Sequence, residues 1–134
     1  MISIFFGLDL KKRVSTVLAS GHSGLMPHGE DVVCAAVSTL LQAAVFSLDS
    51  LFKADIDYEI APGEISLTVK NGEDSSACFS DSQTVLHHTL FSLMNLAYQY
   101  PDQISLHVSG MPDWQEVLLT EDDLHRLKTI FGRE

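Results

Sequence analysis

The stretch Ile56-Asp57-Tyr58-Glu59-Ile60, the turn Ala61-Pro62-Gly63-Glu64 and the run Ile65-Ser66-Leu67-Thr68-Val69 together decide the fold class. Apolar and polar side chains alternate on both sides of the Pro-Gly pair, which is the period of a half-buried strand. The pair itself is turn chemistry, and it reverses the chain at hairpin distance. The expected product is an antiparallel hairpin with one wet face and one apolar face that needs a cover.

The cover lies on either side of the hairpin. Upstream, over residues 30–52, Cys34, Val37, Leu41, Val45, Leu48 and Phe52 recur every three or four positions. Glu30 and Asp31 stand at the start of that stretch, where carboxylates suit the positive end of a helix. Downstream, Asn71-Gly72 opens a polar connection that ends at Ser80-Asp81-Ser82-Gln83, a capping-box spacing. Leu86, Leu90, Leu93, Ala97 and Tyr100 then continue a second amphipathic helix, which Pro101 stops.

Further out, Ile2, Ile4 and Phe6 alternate with Ser3 and Phe5, and the basic turn Lys11-Lys12-Arg13 leads into a second alternating run over residues 14–19. Ile104, Leu106 and Val108 make a fifth strand. The order β-β-α-β-β-α-β predicts an α+β fold of two layers, a largely antiparallel five-stranded sheet with both main helices on one face. Leu124, Leu127 and Phe131 behind a Thr120 cap predict a short C-terminal helix. The chain divides into a body over residues 1–108 and an extension over 109–134 packed on the same domain.

Composition sets the outer limits. The chain has 134 residues, 46% of them hydrophobic and 19% charged, which is enough apolar surface for one packed core. A net charge of −10 repels nucleic-acid phosphate and anionic membrane and suits a basic partner. Residues 1–10 contain Gly7 and Asp9, and they have neither a basic lead nor the length of a signal peptide. No apolar run reads as approaching the roughly 20 residues of a membrane span. Without an export signal, Cys34 and Cys78 are expected as reduced thiols in a cytoplasmic protein.

The chemistry of a site gathers around Cys34. A cysteine attacks as thiolate, a state favoured in the first turn of a helix and beside a histidine. Cys34 stands near the start of the first helix, and His22 sits in the preceding loop, where Gly21, Gly24 and Gly29 give the imidazole room to reach the sulfur. From spacing alone the plainer reading is different: Cys34 falls on the apolar stripe with Val37 and Leu41 and serves as a small buried hydrophobe.

The motif tips the balance. Ser20-Gly21-His22-Ser23-Gly24, followed by Gly29-Glu30-Asp31-Val32-Val33-Cys34-Ala35-Ala36-Val37-Ser38, resembles the signature of the ribosomal-processing cysteine protease family, Prp. The order of elements from Met1 to Val108 is similar to that family's. The resemblance implies a cysteine endopeptidase with His22 and Cys34 as catalytic pair, without metal or other cofactor, acting as a homodimer. It also implies the substrate: large-subunit ribosomal protein twenty-seven, whose short N-terminal extension is removed by a cut after a pair of phenylalanines. Asp31 and Ser38 match further motif positions as supporting residues, and Gly21, Gly24, Leu25, Met26 and Gly29 fall in the substrate loop. Ser23 stands where the family carries alanine, and Leu25-Met26 where it carries a tyrosine-alanine pair.

Other residues offer less. His87 and His88 are adjacent, so they point about 100° apart on a helix, and neither has a ligand type at i+4. His28 with His22, Cys34 and Asp31 fits no closed zinc pattern. Cys78 stands outside the motif. The competing reading is a non-catalytic ribosome-associated module that docks a peptide and leaves the thiol idle.

Overall fold

In a computed structural model, which describes residues 1–21, 31–70, 80–110 and 114, the chain forms β1 (Ile2–Leu8), β2 (Val14–Gly21), α1 (Val32–Phe46), β3 (Ile56–Ala61), β4 (Glu64–Val69), α2 (Asp81–Gln99) and β5 (Ile104–Val108). The five strands make one sheet in the order β3-β4-β2-β1-β5. Every pairing is antiparallel except β1 with β5, which is parallel. The α+β class, the element order and the five-stranded sheet agree with the sequence reading. The predicted C-terminal helix lies outside the described residues, apart from Trp114.

The alternation seen in the sequence is the sheet's two faces. Ile2, Ile4 and Phe6 of β1, Val17 and Ala19 of β2, Ile65, Leu67 and Val69 of β4, and Ile104 and Val108 of β5 are all buried in one cluster. Both helices contribute to the same cluster, through Val33, Val37, Leu41 and Val45 of α1 and through Leu86, Leu90, Leu93 and Met94 of α2. Burying each of these larger side chains stabilises the fold by about 1.5–3 kcal/mol. Trp114 belongs to the same core and donates from Nε1 to the Leu106 carbonyl at 3.1 Å.

The helix expected over 30–52 differs in two ways. It begins at Val32, and after Phe46 it widens into a π-helical turn, Ser47–Leu51, closed by the Phe52 N–H donating to the Ser47 carbonyl at 3.0 Å. The continuous segment Val32–Leu51 is 20 residues long with a mean hydropathy of 1.7 over its most apolar part, enough by length and composition to cross a membrane. The expectation that nothing approached that length is therefore corrected: Ser38, Gln42, Ser47 and Asp49 break up the run in the sequence without lowering its average enough. One stripe of this segment, Val33 to Leu48, is taken up by the domain core.

The capping box at α2 is only half formed. Ser80 Oγ accepts from the Gln83 N–H at 3.2 Å, but the Gln83 side chain does not return to the cap. It reaches across to Val14, where Oε1 accepts from the backbone N–H at 2.8 Å and Nε2 donates to the carbonyl at 2.9 Å. One turn on, the His87 ring lies 2.8 Å from the Gln83 carbonyl and 3.1 Å from the Lys12 carbonyl. These bonds seam the β1–β2 turn to α2. Within that turn the Asp9 carboxylate accepts from the N–H groups of Lys11 and Arg13 and from the Arg13 guanidinium. Burial would push the Asp9 carboxyl up, but the bonds from Arg13 and Lys11 outweigh it and hold the group below the ordinary carboxylate range.

Gln83 is 1% exposed, so Gln83→Ala leaves a buried N–H and a buried carbonyl of Val14 without these partners. The expected loss is ~3 kcal/mol, read as a lower urea midpoint at unchanged slope.

Candidate active site

The site is built where three segments converge: the end of β2, the start of α1 and the tip of the β3–β4 hairpin. Gly21 ends β2 with φ +99°, and a β-carbon there would collide with the Met1 carbonyl oxygen. Its N–H donates to the Gly63 carbonyl at 2.9 Å, which ties the strand end to the hairpin turn. The glycine preceding His22 in the motif therefore has a structural cause, a positive φ and a backbone approach that no side chain permits.

Asp31 starts α1. Its backbone is extended, with φ −79° and ψ 106°, and its Oδ1 accepts from the N–H groups of Val33 and Cys34, both at 3.0 Å. This is N-cap geometry, and the side chain satisfies helix-end donors that would otherwise lack partners. Asp31 is 6% exposed, so an acidic group sits nearly out of water beside the thiol. The sequence reading left its role between a helix-start carboxylate and an orienter of His22. The described bonds make it a cap that holds the backbone of Cys34 directly.

Cys34 is the third residue of α1 and half-buried. Ser38 follows one turn later and Gln42 one turn after that, and Gln42 Nε2 donates to Ser38 Oγ at 3.3 Å. Asp31, Cys34, Ser38 and Gln42 all line one cavity of about 480 Å³. Its floor is Ile2, Ala19, Val37, Leu41 and Ile65, and its far wall is Ile60, Ala61, Gly63 and Glu64 of the hairpin. Such a space, apolar below with a few polar groups at the rim, is of the size that holds a peptide side chain and its flanking backbone.

Of the residues singled out from the sequence, the structure thus brings together Gly21, Asp31, Cys34 and Ser38. His22, Gly24, Leu25, Met26 and Gly29 lie outside the described residues, as do Ser23, His28, Glu30 and Cys78. Two components were missed. Gln42 was legible in principle, as the next i+4 step after Cys34 and Ser38 on one helical stripe. The hairpin wall was not, because it meets α1 only through the tertiary fold.

Comparisons with known proteins agree with this fold. The family model described as cysteine protease Prp matches residues 1–105. The ribosomal processing cysteine protease Prp of two Staphylococcus aureus strains is 26% identical over 110 residues, covering 80% of this chain and 98% of the relative. Two crystal structures of S. aureus Prp share the fold at 22% identity and cover 81% of this chain and 100% of theirs. One, with a covalently linked product peptide, superimposes with a TM-score of 0.72, and the other, with a substrate peptide, with 0.68.

The cap generates a prediction of its own. Asp31→Ala is expected to destabilise the fold by ~1 kcal/mol through the lost cap, whereas Asp31→Asn, whose amide oxygen still accepts, recovers most of that loss. Thermal unfolding of the two variants side by side checks it, and equal losses would show that the charge, not the cap, is what matters.

Proposed function

This chain belongs to the Prp family of cysteine proteases and is a hydrolase of that class, and we propose that it removes the short N-terminal extension of large-subunit ribosomal protein twenty-seven, with Cys34 as nucleophile and His22 as its base. The observation that carries the proposal is the position of Cys34. It sits in the first turn of α1, half-buried, and lines the cavity of about 480 Å³ beside the Asp31 cap.

In the proposed reaction the Cys34 thiolate attacks the carbonyl carbon of the scissile bond, and the developing oxyanion collapses to a thioester. The His22 imidazolium gives its proton to the departing amine. His22 then takes a proton from water as that water attacks the thioester, which releases the new carboxyl terminus and restores the thiolate. Asp31 holds the backbone of Cys34 in place through its cap. Ser38, held by Gln42, presents a hydroxyl one turn from the sulfur.

The apolar floor of the cavity suits the phenylalanines that precede the cut in family substrates, and the net charge of −10 suits a basic ribosomal protein. The same reading carries a homodimer working in the cytosol without metal. In the same proposal Gly24, Leu25, Met26 and Gly29 contact the bound peptide.

Incubation with a peptide spanning the extension, with products read by mass, tests substrate and reaction together. Cys34→Ala is expected to abolish cleavage with the fold intact, and His22→Ala to lower turnover roughly a thousandfold. Iodoacetamide should modify Cys34 far faster than Cys78 near neutral pH, an advantage that His22→Ala removes. Equal, slow labelling of both thiols together with an uncut peptide would point to the non-catalytic docking module instead.

A further inference from the structure

A hydroxyl on a helix has an ordinary partner, the carbonyl one turn back. Ser47, Thr84, Thr89 and Ser92 each donate to that carbonyl, at 2.7, 3.2, 2.8 and 2.9 Å. Ser38 does otherwise. It is half-buried in the middle of α1, and the bond it makes is one it accepts, from Gln42 Nε2 at 3.3 Å. A hydroxyl has one hydrogen to give and two lone pairs to fill. The Gln42 amide occupies one lone pair, and among the described residues no acceptor takes the hydrogen.

Where that hydrogen can go follows from its place. Ser38 and Gln42 line the cavity together with Cys34. Helical side chains lean toward the N-terminal end, so Gln42 reaches back to Ser38, and Ser38 back toward the turn that carries Cys34. Those four residues of helix rise about 6 Å, which is about two residues of an extended peptide. The floor beside them is Val37, Leu41 and Ile65, whose side chains accept nothing. A peptide in the cavity expels the water that could take the hydrogen, and it brings a carbonyl oxygen with every residue. A donor left there without an acceptor weakens binding.

We propose that Gln42 is a positioning residue: by donating to Ser38 Oγ it leaves the Ser38 hydroxyl to donate to a carbonyl oxygen of the bound peptide, within about two residues of the bond that Cys34 attacks. The inference rests on the peptidase reading and names how the same site holds its substrate.

The direction of the bond between Gln42 and Ser38 decides the outcome. A carboxylate at position 42 can only accept, so it draws the Ser38 hydrogen to itself and away from the peptide. An ammonium there can only donate, so it leaves the hydrogen free. Glutamate and glutamine are nearly equal in size and shape, so the difference between them reads the direction of one hydrogen rather than the filling of space.

The test uses the Cys34→Ala full chain and a set of peptides spanning the extension, each with one carbonyl oxygen replaced by sulfur, a weaker acceptor. Binding is followed by fluorescence anisotropy. One replacement near the scissile bond is expected to weaken binding about fivefold, the worth of one hydrogen bond. Adding Ser38→Ala or Gln42→Glu should shrink that penalty to less than about twofold, because the donor is deleted in one and turned away in the other. Gln42→Lys should keep it. Each penalty is a ratio of two peptides on one chain, so the charge introduced at position 42 cancels. A purely structural role for the pair would weaken all peptides alike and single out none. The proposal is overturned if no oxygen is singled out, if the penalty survives Gln42→Glu, or if it vanishes in Gln42→Lys.

Cleavage of the unmodified peptide by the wild-type chain separates the two readings. Cleavage with no oxygen singled out removes the Gln42 proposal alone. A singled-out oxygen that depends on Gln42, without cleavage, leaves the contact standing and removes the peptidase reading. A peptide neither bound nor cut removes both.

Discussion

A carboxylate kept almost entirely from water must find hydrogen-bond donors, and Asp31 finds them in the first turn of α1. That requirement fixes where the helix begins, and the beginning of the helix fixes Cys34. Placed three residues after the cap, the thiol is held at the rim of the cavity. The rest of α1 sends Val33, Val37 and Leu41 into the core, so the helix cannot rotate to adjust its reactive end without unpacking its buried face. One local bond pattern and one global packing constraint therefore meet at the same residue.

Much of the architecture was legible because it is written in short periods. Two-residue alternation gave all five strands, and the Pro62-Gly63 turn appears as read, with Gly63 at φ +74°. What escaped was decided by partners distant along the chain. Gln83 looked like the returning half of a capping box, but a buried Val14 backbone 69 positions away competes for its amide and wins, because that backbone has no water to turn to. The parallel pairing of β5 with β1, and with it the strand order, depends on α2 crossing the sheet, which no local pattern records.

The site divides along the same line. Periodicity alone made Cys34 a core residue, and half of that reading is right: the same stripe that carries the thiol packs the sheet, and Cys34 leans against that core. Only the motif around it set Cys34 apart from one more buried contact. Gly21 shows the reverse case. Its place in the motif looked like freedom for a mobile loop, whereas the structure gives it a fixed task, the close passage of backbone past Met1 and the bond to Gly63.

Stability and chemistry occupy opposite ends of the molecule. The Gln83 and His87 seam, the β1–β2 turn and α2 hold one end through polar bonds, those of Gln83 to Val14 fully buried. The other end, where α1 starts and the hairpin turns, carries the cavity and the half-exposed thiol. Ser38 and Gln42 line the cavity without belonging to the buried core, so a change at either costs folding little. The exception is Asp31, which caps the helix that the core needs and also accepts from the Cys34 N–H at the cavity. Removing its acceptor loosens the helix start and the backbone of Cys34 together, because one oxygen serves both N–H groups.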